Sequence, residues 1–426
     1  MTAPALRPET AWRQWALPLL LMAANTLSFV DRQILSLLIE PIRRDLGLGD
    51  GTAGMLYGLG FTLTYLLAAF PLAWLADRIG PRRVIVGAVM AWSLATGACG
   101  LARSLGGLIA ARMAVGLGEG GLTPAAMAWI SRQFPRERTA TAIGVFQTGI
   151  YLGNGLALLV GAWIALRFDP AGRHMVPLLG PMAGWQVAFL LLVLPGLALA
   201  VALALCPAPR GGESERATAP SVAMRGAAGW RIGALPALLI VAYACLVLGG
   251  NGAQVWTPTL LQRQFGWSVQ QSGFVLGTLS LGFGILGTLG GGLAADAMAR
   301  RSGLSGPIAL AQGAMLVVAP IALAFPLAPD AGVAVALIGT HQMASAFALC
   351  GGMAALQGAA PDAQRTRITA MLMVAINLGG TLAGPWIMGV VSDAWPGAGL
   401  GPAMAVTGCL ATLLAALLMA RAQRLA

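Results

Sequence analysis

The chain of 426 residues contains no lysine and only two histidines, and charged residues make up 10% of it. So few charges cannot coat a soluble domain of this size. With 58% hydrophobic residues and a mean hydropathy of +0.78, the composition is that of a polytopic membrane protein. Five cysteines, Cys99, Cys206, Cys245, Cys350 and Cys409, are scattered through apolar stretches with no C-x-x-C spacing. Together with the shortage of histidine this argues against a disulfide framework and against a metal site. The net charge of +11 is not gathered into a basic block interleaved with aromatics, so nucleic acid is not the implied partner. A nucleophile, metal set or paired-acid motif at catalytic spacing is missing, as is a Walker-type phosphate loop. Neither an enzyme nor an ATP-driven pump is indicated, and no cofactor is implied.

All 26 basic residues are therefore arginines, and they concentrate in alternate loops. Apolar runs bounded by Arg, Asp, Pro and Gly predict an all-α membrane protein of twelve transmembrane helices. Six lie near 14–40, 52–76, 82–102, 105–132, 138–166 and 184–206, and six more near 232–262, 270–296, 306–327, 331–359, 365–391 and 398–421. The polar stretch 1–13 precedes an apolar run too long for a signal-peptide core, which reads as a retained first helix. With the amino terminus cytoplasmic, eighteen arginines fall on that side, in the termini, the 78–83 and 132–138 loops, the 207–230 stretch with Arg231, and the 300–301 and 365–367 loops. Only six (Arg43, Arg44, Arg103, Arg167, Arg173 and Arg263) fall opposite, so both termini are placed in the cytoplasm and the protein in the inner membrane.

An internal repeat points to two halves. A shift of 219 positions takes Asp77 to Asp296, Gly47 to Gly266, Gly54 to Gly273 and Gly58 to Gly277 without a gap. In both copies a loop leads through a helix to an Asp followed by paired arginines. The expectation is two pseudo-symmetric six-helix bundles, 1–206 and 231–426, joined by a Gly-, Pro- and charge-rich cytoplasmic linker, 207–230. Parallel repeats so joined are the arrangement in which two bundles rock about a central site.

Two arginines, Arg32 and Arg112, lie inside spans. Arg112 opens the stretch RMAVGLGEGGLTP (112–124), which also holds Glu119, seven residues on and so nearly on the same helical face. Charges in such a place face a cavity or a partner, not lipid. Asp31 lies roughly 10 Å, and Arg112 roughly 12 Å, from the outer ends of their helices, so the two can meet at one level. A carboxylate beside an arginine stays ionised, whereas desolvation favours its protonated form. Asp31 is thus expected to be a protonation switch with Arg112 as its partner, or else the two form a fixed ion pair. Arg112 is also a candidate ligand for an anionic headgroup. Glu119 falls near the midplane with no evident cation at its level; it is expected to titrate or to meet a substrate amine, the alternative being a neutral acid bonded to backbone. Arg32 points about 100° away from Asp31 and either snorkels outward or joins the cavity. Weaker polar candidates for the substrate site are Asn25, Gln147, Tyr151, Asn154, Asn251, Gln254, His341 and Asn377, each of which alone also reads as interhelical glue.

The loop AWLADRIGPRR (73–83) resembles the signature loop of the major facilitator superfamily, departing from it at Ala73, where Gly is usual. Its physical sense is a latch: Asp77, Arg78, Arg82 and Arg83 pair charges between neighbouring helices across a tight turn. A second copy, GLAADAMARR (292–301), supplies Asp296, Arg300 and Arg301 without the Gly turn. The segments 25–50 and 92–147 further resemble the bacterial branch of the Spinster-like transporters within that superfamily. In GIYLGNG (149–155), Asn154 stands where antiporters of the superfamily often carry Pro. The resemblance implies a proton-coupled carrier of a small-molecule or lipid-like, amphipathic substrate, of lysophospholipid or sphingolipid type, working by alternating access; a monomer is expected. An organic-anion or sugar-acid symporter, a drug efflux carrier, and a receptor or scaffold that has lost transport stay open as alternatives.

Overall fold

A bilayer core offers no water to backbone N–H and C=O groups, so apolar spans must close their hydrogen bonds internally as helices. The computed structural model describes residues 8–134, 136–206, 232–361, 364–395, 397 and 399–426. The expected linker 207–230 lies outside the described residues. Fifteen α-helical elements are described: α1 (Pro8–Leu46), α2 (Asp50–Ile79), α3 (Pro81–Leu101), α4 (Leu105–Glu119), α5 (Leu122–Gln133), α6 (Arg136–Arg167), α7 (Gly184–Leu205), α8 (Ala234–Gln264), α9 (Val269–Leu279), α10 (Ile285–Ser302), α11 (Ser305–Ala324), α12 (Ala331–Ala359), α13 (Arg365–Ala375), α14 (Gly384–Ala394) and α15 (Leu400–Gln423). Three pairs, α4–α5, α9–α10 and α13–α14, each make one span, which leaves the twelve expected helical segments. Ten of these are long and apolar enough to cross a membrane on length and composition. The other two are α1, which carries Asp31, Arg32 and Glu40, and the interrupted α4–α5.

The interruptions are what the sequence reading did not foresee. It treats 105–132 as one helix, whereas the structure breaks it at Gly120–Gly121. Pro124 has no N–H to give to the Gly120 carbonyl, so the ladder loses a rung there. The two glycines let α2 come close: a Cβ at Gly120 would lie 2.6 Å from the Tyr65 carbonyl oxygen. The α9–α10 and α13–α14 spans are each continuous through a π-helical segment, Ser280–Gly284 and Ile376–Ala383. Between α6 and α7 stands a small antiparallel hairpin, β1 (Arg173–Val176) and β2 (Gly180–Ala183), with Arg173 opposite Ala183.

Helix starts follow local chemistry. Ser104 accepts from Gly107 N, Asp330 from Val333 N, and Ser268 forms a reciprocal capping box with Gln271. Gly47 and Gly266, related by the 219-residue shift, hold φ values of +63° and +65° just past α1 and α8.

By contacts the chain divides into two compact units: Met1–Gln33 with Leu63–Ala157 and Gly172–Ala227, and Ile34–Thr62 with Leu158–Ala171 and Ala228–Ala426. The first unit buries Trp92, Trp129, Trp185, Phe146 and Phe189. The second packs Leu246, Ile308, Met315, Leu372 and Met419 from α8, α11, α13 and α15. Within the second unit, repeat-related glycines have the same task. A Cβ at Gly54 would collide with the Pro385 carbonyl, and one at Gly273 would lie 2.7 Å from that of Leu158. Thus α2 meets α14, and α9 meets α6, backbone against backbone.

Candidate functional site

In the first unit, α1, α2, α3 and α4 bring four charged side chains into one buried place. Asp31, Arg112 and Glu119 are each 1% exposed. Glu119 pairs with Arg32: Arg32 Nε lies 2.7 Å from Glu119 Oε2, and Ser28 Oγ donates to the same oxygen at 2.6 Å. The Arg32 guanidinium sits between the rings of Phe29 and Tyr65, 4.8 and 4.7 Å from their centroids. The expectation that Glu119 lacks a cation is therefore corrected, and Arg32 joins the site instead of snorkelling outward. Helical geometry explains the pairing, because Ser28 and Arg32, four residues apart, share the face of α1 that meets Glu119. Asp31 and Arg112 do meet at one level, but through the backbone: Arg112 donates to the Asp31 carbonyl oxygen at 3.3 Å. The Asp31 carboxylate accepts from Thr96 Oγ1 at 3.3 Å through Oδ2. Its Oδ1, like Glu119 Oε1, is buried with no hydrogen-bond partner.

The weaker candidates separate. Asn25 donates to the Phe146 carbonyl at 3.0 Å and Asn377 to the Met373 carbonyl at 2.8 Å, both acting as backbone glue. Asn251 fits the space beside Gly380, where a Cβ would lie 2.5 Å from its Nδ2. His341 is buried against Phe325, with centroids 5.5 Å apart. Gln147, Asn154 and Gln254 are half-buried, and Tyr151 is exposed.

Of the latch residues, Asp77 pairs with Arg132 of α5 at 3.1 Å rather than with its own loop's arginines. Arg78 stacks on Trp74, Arg82 donates to the Ala204 carbonyl, and Arg83 to that of Ile79. No ion pair among the described residues includes Asp296, Arg300 or Arg301, which are exposed.

A second charged network lies in the second unit, at the ends of α1, α8 and α14 and the start of α2, and the sequence reading missed it. Arg263 grips Asp50 with both terminal nitrogens, NH1 to Oδ2 at 2.8 Å and NH2 to Oδ1 at 2.6 Å. Its Nε reaches Glu40 at 2.8 Å. Glu40 is also held by Arg43 and Arg44, and Asp50 accepts from Ser392 at 2.8 Å. Asp393 closes the set by accepting from the first two backbone N–H groups of α2, Asp50 at 2.9 Å and Gly51 at 2.7 Å. A carboxylate there is favoured by the unpaired N–H groups and positive dipole of the helix start. A sequence signal existed: Glu40 lies three and four residues before Arg43 and Arg44, the spacing of helical ion pairs.

Twelve helical segments, with ion pairs buried inside apolar spans and clamped at a helix end, define a polytopic membrane carrier. The chain belongs to the Major Facilitator Superfamily, whose family model matches residues 21–349. It is accordingly a transporter and not an enzyme. It is 29% identical over 387 residues to an MFS-type efflux pump of Mycolicibacterium smegmatis, covering 89% of this chain and 85% of that protein. A hexuronate transporter of Bacillus subtilis is 29% identical over 183 residues, 43% of this chain and 40% of that protein. In fold the chain resembles the crystal structure of a bacterial homologue of the human lysosomal transporter Spinster, in an inward-facing and occupied conformation. The TM-score is 0.79 at 23% identity, covering 99% of this chain and 96% of that one.

Proposed function

We propose that the protein is a proton-coupled secondary carrier of an amphipathic, lipid-like substrate, working by alternating access. The observation that carries this reading is the buried group of Asp31, Arg32, Arg112 and Glu119, in which one oxygen of each carboxylate has no partner. An ionised carboxylate in an apolar span depends on its arginine. When Arg32 or Arg112 shifts toward a substrate, Glu119 or Asp31 loses that support and takes a proton instead. Substrate and proton binding are then linked through the same two arginines. Halves 1–206 and 231–426 rock about this level, and the arginine distribution supports cytoplasmic termini in an inner membrane. Likeness to an MFS-type efflux pump over most of the chain supports transport, and the Spinster-like segments 25–50 and 92–147 are what suggests an amphipathic substrate.

A second reading, symport of an organic anion such as a sugar acid, is favoured by the buried Arg112, the half-buried Arg32 and the hexuronate transporter among the relatives. The two are separated in proteoliposomes holding a pH-sensitive dye, by adding lysolipids, sphingoid bases or hexuronates. Proton movement with the amphiphiles is the expected result, and movement with hexuronates alone selects the second reading. Asp31→Asn and Glu119→Gln should each abolish gradient-driven transport in protein that stays monodisperse. A normal response to the gradient in both variants rejects the coupling assignment, and a complete absence of flux with every compound favours a receptor or scaffold.

A further inference from the structure

Ser28 lies on α1 one turn before Arg32, and its hydroxyl is placed with unusual economy. Its Oγ donates to Glu119 Oε2 at 2.6 Å and accepts from Arg32 NH2 at 3.2 Å. Arg32 Nε donates to the same Oε2 at 2.7 Å, so serine, arginine and glutamate close a ring. A hydroxyl has one hydrogen. Because Ser28 accepts from a guanidinium that has only hydrogens to offer, that one hydrogen is directed to the carboxylate. Every polar contact described for Glu119 thus converges on one oxygen, while Oε1 is buried with no partner.

We infer that Ser28 is the positioning residue for the Glu119 carboxylate, fixing Oε2 as an acceptor so that the transported proton loads on Oε1. This rests on the coupling role of Glu119 proposed above. A proton placed on Oε2 would oppose donors from Ser28 and Arg32, whereas one placed on Oε1 leaves the ring whole. The ring also distinguishes the two states of Glu119, since hydrogen bonds to an ionised carboxylate are about twice as strong as those to a neutral one.

The other groups around Glu119 do not replace it. From α1 come Asp31 and Arg32, and from α2 Tyr65, which bonds Arg32. On α4 itself, Arg112 stands two turns earlier and donates to the Asp31 carbonyl. Helix α3 packs on α4 where Trp92 meets Gly118, and between Val84 and Leu101 its one titratable group is Cys99.

The test is the pH profile of gradient-driven uptake in proteoliposomes, with substrate held saturating. Losing a hydrogen bond that favours the charged form should move the midpoint of Ser28→Ala to higher pH by about one unit or more. Ser28→Thr, which keeps the hydroxyl, should return it toward the wild-type value. A Ser28→Ala midpoint within about 0.3 unit of wild type, in the same preparation in which Glu119→Gln abolishes the pH response, overturns the inference. A pH response that survives Glu119→Gln overturns the coupling reading instead. Should Ser28→Ala fail to yield monodisperse protein, Ser28→Cys, a much weaker donor of similar size, reads the same shift.

Discussion

Replacing Arg263 by alanine should unfasten the end of the molecule where α1 finishes and α2 begins. Arg263 ties Glu40 to Asp50 by direct ion pairs from α8, outside the α1–α2 corner, while Arg43 pairs with both from within it, at 3.1 and 3.8 Å. Its removal leaves two acids, 2% and 6% exposed, with less compensating charge. Breaking a buried pair by deleting one partner costs about 3–5 kcal/mol. Here the loss is moderated, because Arg43 and Arg44 remain on Glu40, Arg43 and Ser392 remain on Asp50, and the Arg263 side chain is 24% exposed. About 3 kcal/mol is the reasonable expectation, which shifts the balance between the fastened and the released network by roughly 150-fold. The assay is the labelling rate of a single cysteine at Thr52, next to the gripped turn, by a membrane-impermeant maleimide. In Arg263→Ala the rate should rise by at least tenfold, and Arg263→Lys, a point charge without the planar fork, should fall between. A rate within about twofold of wild type would mean that backbone packing alone keeps the end shut and that the charge network adds almost nothing.

Two further expectations use the same structure. Gly54→Ala and Gly273→Ala should each open this end as Arg263→Ala does and reduce transport, because the new Cβ meets a backbone carbonyl, of Pro385 or of Leu158, that cannot swing aside. The Thr52 labelling rate reads both, and unchanged rates would contradict the close helix approach. Asp77→Asn, by contrast, removes an ion pair in which the Asp77 side chain is 57% exposed. Its effect on thermal stability should stay below about 1 kcal/mol, readable as a Tm change of a few degrees at most. A large loss of stability would give the Asp77–Arg132 pair a structural weight that its exposure does not support.

Some of the site was legible in order along the chain and some was not. Asp31, Arg112 and Glu119 stand out because a charge inside an apolar span is costly wherever the span packs. Their pairing was not legible. Rise per residue places Asp31 and Arg112 at one level, yet the guanidinium reaches the Asp31 carbonyl, and the cation for Glu119 comes from Arg32, on a different helix, which spacing along one helix cannot reveal. Serine at position 28 carries no signal at all by composition, since a hydroxyl in an apolar helix more often bonds its own backbone. The Arg263 network was hidden for a different reason. Its members, at 40, 50, 263, 392 and 393, are separated by up to several hundred positions, and each alone reads as an ordinary polar helix end.

The sequence by itself determined the class of protein, the number of spans, the repeat and the set of intramembrane charges. These follow from terms that act residue by residue: transfer of apolar side chains out of water, the cost of burying charge, and the backbone freedom of glycine at a turn. Only the tertiary structure decided where helices break or widen, as at Gly120–Gly121 and Ile376–Ala383, and which charge meets which. Those outcomes depend on the separation of two backbones and the reach of a side chain between them, quantities that no single helix contains.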